Sequence, residues 1–61
     1  MKENRKLCEM PSLDLSSACR IAEQWKDYFE NHGYENVLFS IQETNLSYRF
    51  RVEVWGSWKE D

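Results

Sequence analysis

Two cysteines and one histidine are where chemistry could begin in this sequence: Cys8, Cys19 and His32. A thiol becomes a nucleophile when a base or a positive field draws off its proton. A zinc site needs about four ligands, usually supplied as closely spaced pairs. Cys8 and Cys19 stand eleven positions apart with no second pair, and His32 has no histidine partner. Neither a catalytic set nor a metal site is expected, and no cofactor motif is present. The reading is that the protein is not an enzyme. Met1–Lys6 is charged and no apolar segment follows it, so no signal peptide is read there. A reducing cytoplasm is therefore expected, where disulfides are rare. Cys19 reads as a small helix residue, with no bridge to Cys8. No apolar run approaches the ~18 residues of a membrane span, so no membrane partner is expected.

A second group could act by binding. Arg49, Arg51, Glu53 and Trp55 fall at every second position, and Trp58 follows closely. On a strand that spacing places the first four on one face. Arginine and tryptophan are the residues most enriched among interface anchors. The stripe Arg49, Arg51, Glu53, Trp55, with Trp58, is thus the candidate partner-binding surface. Nucleic acid is the alternative partner, through Arg49, Arg51 and a basic arm of Lys2, Arg5 and Lys6. A net charge of −3 opposes it, because phosphate binding rests on a positive footprint.

These residues need elements to hold them. Ala18, Ile21, Ala22, Trp25, Tyr28 and Phe29 recur at helical spacing, and charged residues fill the other face. Ser12, Asp14 and Ser16 are each acceptable N-caps. Gly33 is a natural terminator. A helix over about 14–32 follows. Beyond Gly33 the period becomes two: Val37, Phe39 and Ile41 in one segment, then Leu46, Tyr48, Phe50, Val52 and Val54 in the next. Two strands, 36–43 and 46–55, form a hairpin. Residues 1–12 form an arm or a short strand at 7–10, and Pro11 discourages any helix running through it. Residues 57–61 form a tail, expected to fray beyond Trp58. The fold class is α+β, one amphipathic helix on an antiparallel hairpin: αββ, or βαββ if the N-terminal residues add a strand.

Parity constrains the hairpin. Opposed residues of an antiparallel pair share a face. The first strand buries odd positions and the second even ones, so the connecting loop must hold an even number of residues. Thr44-Asn45 alone, or Glu43 to Leu46, both satisfy this. Either pairs Ile41 with Tyr48, Phe39 with Phe50 and Ser40 with Arg49, and sets Leu38 opposite Arg51. The expected core is Ala18, Ile21, Ala22, Trp25, Phe29, Val37, Phe39, Ile41, Tyr48, Phe50, Val52 and Val54. Phe39→Ala or Phe50→Ala should then cost about 3–5 kcal/mol.

At 61 residues a single core stabilises by only ~3–5 kcal/mol without help from a disulfide, a metal or a partner. With the first two set aside, a partner is the expected support. An uncovered strand edge is a template for pairing, and twofold self-association is the commonest assembly, here two hairpins joined edge to edge; the alternative is a monomer whose edge is covered by residues 6–10 in a βαββ order. The expectation is a small protein–protein interaction module, a homodimer that also meets an unidentified protein as adaptor or inhibitor. Size and charge resemble those of small acidic proteins with which bacteria and phages act on larger machines.

Overall fold

The computed structural model describes residues 3–45 and 47–59. Leu46, where the sequence pattern starts the second strand, lies outside them, as do Lys2 of the basic arm and the tail residues Glu60 and Asp61. The order is β1 (Arg5–Ser12), α1 (Leu15–Glu30), β2 (Tyr34–Glu43) and β3 (Phe50–Trp58). The N-terminal segment is a full strand, so the βαββ alternative holds.

The sheet order is β1-β3-β2, and β3 is antiparallel to both neighbours. β1 and β2 therefore run parallel, one strand apart, and α1 is the crossover that parallel strands require. β3 then fills the gap between them. Pro11 is tolerated because β1 is an edge strand, where a missing N–H need not break the ladder.

Asp14 is the N-cap: its carboxylate accepts from the Ser17 amide at 2.7 Å, and its carbonyl accepts from the Ala18 amide at 3.0 Å. The bond from Ser17 holds the Asp14 carboxyl below the usual aspartate range. Asn31 caps the other end, and Gly33 turns the chain into β2 with φ +93°. A side chain at Gly33 would be strained by that φ and would also meet the Trp58 ring at 3.3 Å.

The core is narrow. Ala18 and Ala22, four apart on α1, are fully buried against Val37, Val52 and Val54. Two alanines let the helix approach the sheet closely. The larger Ile21, Trp25 and Phe29 pack beside this seam, each only half-buried. The body is flat and long, with a Cα radius of gyration of 12.2 Å against about 10 Å for a globular chain of this length.

Odd–even parity of the hairpin holds, but its register differs from expectation. Ile41 faces Val52, Phe39 faces Val54 and Glu43 faces Phe50, leaving residues 44–49 as the loop. The loop is even-numbered, as required, but longer. Thr44 closes it: its amide donates to the Arg49 carbonyl at 2.8 Å and its hydroxyl to the Tyr48 carbonyl at 2.5 Å. The physical reason lies under α1. This register sets two valines beneath the alanine seam, whereas the expected one would have centred the rings of Tyr48 and Phe50 there and held the helix away. Tyr48 consequently lies in the loop and not in the core. Phe39 faces the helix side yet stays 36% exposed. Ser57 and Trp58, which the sequence pattern leaves in the tail, belong to β3.

Both edge strands bulge beside one residue of β3. The β1–β3 register shifts between Lys6 and Cys8, and the β2–β3 register between Glu35 and Leu38, where Asn36 has φ +55°. Leu7 and Val37, the residues inside these irregularities, converge over Gly56. A Cβ there would lie 3.0 Å from Leu7 and 3.2 Å from Val37. The missing side chain of Gly56 is the space that both bulged residues fill.

Candidate interaction surface

The sheet face away from α1 carries the odd residues of β3: Arg51, Glu53, Trp55 and Ser57. Arg51, Glu53 and Trp55 do share this face, as the alternation predicts. Arg49 does not join them. It sits in the loop before β3, exposed, so the stripe begins at Arg51. Its neighbours also differ from expectation: Arg51 lies between Gln42 and Pro11, Glu53 between Ser40 and Glu9, and Trp55 between Leu38 and Lys6.

Arg51 and Glu53 are committed to each other and to the edge strands. Glu53 is only 8% exposed although no layer covers this face. Gln42 donates to its Oε1 at 3.2 Å, Lys6 Nζ lies 3.5 Å from its Oε2, and Arg51 Nε lies 3.7 Å from the same oxygen. Arg51 Nη2 donates to Gln42 Oε1 at 2.9 Å. Its buried Nε makes no hydrogen bond. Lys6 also holds Glu9 at 3.0 Å, and that hydrogen bond lowers the Glu9 carboxyl and raises the Lys6 ammonium from their usual values. The like charges of Glu9 and Glu53 stand opposed across β1 and β3, and Lys6 bridges them. Further along, Ser57, 3% exposed, donates to Asn4 Oδ1 at 2.5 Å, and Asn4 Nδ2 donates to the Asn36 carbonyl at 3.1 Å. These contacts tie β1, β3 and β2 together. They satisfy charge within the sheet and leave Arg51 little freedom to meet a phosphate.

Trp55 and Trp58 diverge. Three residues apart on a strand, they point to opposite faces. Trp55 is half-buried between Leu38 and Lys6. Trp58 is on the helix side, 59% exposed, packed edge-on against Tyr34 with ring centroids 5.0 Å apart. Tyr34 meets Phe29, and Phe29 meets Trp25 and Tyr28, so the aromatics form one chain along this end. His32 closes it: its ring stacks on Tyr28 at 4.0 Å, and Nδ1–H donates to the Tyr28 carbonyl at 2.6 Å. That is a helix-end contact, with no catalytic partner in the described contacts. Cys8 and Cys19 are both free thiols, and burial pushes the Cys8 thiol up, away from nucleophilic use. Among the described residues no cluster of His, Cys, Asp and Glu could hold a metal ion, and no helix is long and apolar enough to cross a membrane.

The feature that the stripe argument missed is the outer edge of β2. Leu38 is 51% exposed on one face and Phe39 on the other, adjacent in sequence. The ladder gives the backbone direction. Thr44 N–H turns toward β3 to reach Arg49. Hydrogen-bonding alternates along an antiparallel strand, so even residues of β2 turn to β3, while Phe39 and Ile41 turn their amides and carbonyls outward. The signal was present in composition: Tyr34–Glu43 contains no Lys, Arg or Pro, the residues that usually blunt an edge. Comparison with known proteins found no matching family model, no matching curated protein and no matching solved structure.

Proposed function

We propose that this protein is a non-catalytic protein-interaction module whose binding element is the outer edge of β2, and that its ligand is an extended polypeptide strand. The observation that carries this reading is the edge itself: outward backbone groups at Phe39 and Ile41, with Leu38 and Phe39 exposed on either side. Strand addition uses these two components, main-chain bonds for affinity and flanking side chains for specificity. An adaptor or inhibitor role follows where the strand belongs to a larger protein. The internal pairing of Arg51 and the displacement of Arg49 favour this reading over nucleic-acid binding.

The test is site-specific photo-crosslinking in cells producing the protein. A photoreactive residue at Leu38 is expected to give adducts to polypeptide, whether this chain or another. The same residue at Glu9, on the opposite edge, is expected to give few. Absence of adducts at Leu38, or equal yields at both sites, overturns the reading.

A further inference from the structure

We infer that the strand taken by β2 is β2 of a second copy, paired antiparallel about a twofold axis at Ser40; this rests on the strand-edge reading above and names its ligand. The edge is self-complementary in one register. A twofold axis normal to the sheet keeps both helices on one face, so opposed residues share parity and their numbers sum to an even value. A sum of 78 centres on Phe39 and leaves only Leu38 to Ser40 of the regular stretch paired, drawing the bulged Asn36 and Val37 into the ladder. A sum of 82 sets Phe39 against Glu43. A sum of 80 avoids both: Phe39 faces Ile41, Leu38 faces Gln42, and Ser40 faces Ser40.

Three observations converge on that register. The regular stretch of β2 runs from Leu38, where the bulge ends, to Glu43, and pairing 38–42 about Ser40 stays within it. Phe39 and Ile41 are the residues whose backbone groups turn outward, and in this register they pair with each other on both sides of the axis. The rows across the joined sheet also match. On the helix side the row reads Cys8, Val54, Phe39, then Ile41, Val52, Met10 of the second copy, all apolar. On the far side Trp55 and Leu38 meet Gln42 and Arg51 of the second copy, and no like charges face each other at the seam. β1 already occupies the free edge of β3, so the assembly is a six-stranded sheet and not two joined hairpins.

Ser40 makes the test specific. Its opposed residue in the monomer is Glu53, so Ser40→Lys places a cation beside a carboxylate and leaves the fold intact. On the axis the same change sets two lysines against each other. Sedimentation equilibrium at high protein concentration is expected to give twice the chain mass for wild type. It should give a single chain mass for Ser40→Lys, with circular dichroism unchanged. On mild oxidation the Ser40→Cys variant should form a disulfide between two chains, and mass spectrometry should find position 40 of one copy joined to position 40 of the other. A non-hydrogen-bonded pair has Cα atoms about 4.5 Å apart, within disulfide reach. The Gln42→Cys variant should not link to itself. A monomeric wild type, a Ser40→Lys protein that is still dimeric, or self-linkage at 42 and not at 40 overturns the inference. If wild type is monomeric while Leu38 still crosslinks to another polypeptide, this inference falls and the strand-edge reading stands. If Leu38 gives no adducts, both fall.

Discussion

The two edges of this sheet face different demands with different residues. β1 carries Arg5, Lys6, Glu9 and Pro11, and Lys6 reaches over to Glu53 on β3. Charge and a missing amide make that edge a poor template for another strand. β2 carries no basic residue and no proline, and exposes Leu38 on one face and Phe39 on the other. Both strands are held by the same central β3 and both bulge over the same glycine. The difference is thus local to side chains and not imposed by topology. It teaches that a small sheet can concentrate its protective residues on one side and leave the other open.

The largest expected effect separates the shared strand from the open edge. Val54→Ala removes fully buried methyl groups from beneath Ala18 and Ala22, and should cost about 2 kcal/mol in urea denaturation. Phe39→Ala, directly opposite on the open edge, should cost less in the monomer than the ~3–5 kcal/mol of a buried ring, because that ring is one-third exposed. If Phe39→Ala proved the more damaging at concentrations where the protein is monomeric, the edge would be part of the core and the contrast would collapse.

A middle-sized effect tests the common hinge of the two edges. Gly56→Val pushes a side chain into space that Leu7 and Val37 occupy at once, and overpacking of this kind costs about 1–3 kcal/mol. Hydrogen exchange should quicken on β1 and β2 together. Loss confined to one strand would show that the two bulges are independent.

The smallest effect concerns pH. The Glu9 carboxyl is lowered by Lys6, and the Asp14 carboxyl by the Ser17 amide. Each binds its proton less readily folded than unfolded, so each contributes stability above its ordinary range that is lost as pH falls through the depressed value. Lys6 is raised, so its share is complete below the ordinary lysine range and lost only at strongly alkaline pH. Thermal melts below about pH 4 should therefore show wild type losing more than Glu9→Gln or Asp14→Asn. Asp14→Asn should match wild type near neutrality, because asparagine caps as well as aspartate. Association through β2 should be indifferent between about pH 5 and 8, the range in which histidine is the side chain that titrates, since residues 37–42 carry no ionisable side chain. Dissociation across that range would locate the interface elsewhere.

Some of this was written in the order of residues. The spacing from Ala18 to Phe29 commits that segment to a helix whatever surrounds it, and Asp14 and Gly33 bound it by local chemistry. Alternation assigned faces to β2 and β3 and required an even loop, because a one-residue slip turns every side chain over. Parity is blind to shifts of two or four, however, and only the fit of Val52 and Val54 beneath two alanines chose among them. The fate of the proposed stripe followed from that choice: a shift of four residues along β3 put Arg49 in the loop and gave Arg51 to Gln42. Likewise the segment around Cys8 has no period strong enough to announce a strand. It became β1 because α1 returns the chain to one side of β3 and leaves the other side open for pairing. Local sequence determined which residues could share a face. Which faces and edges remained free was decided by long-range pairing, whose partners lie up to about fifty positions apart.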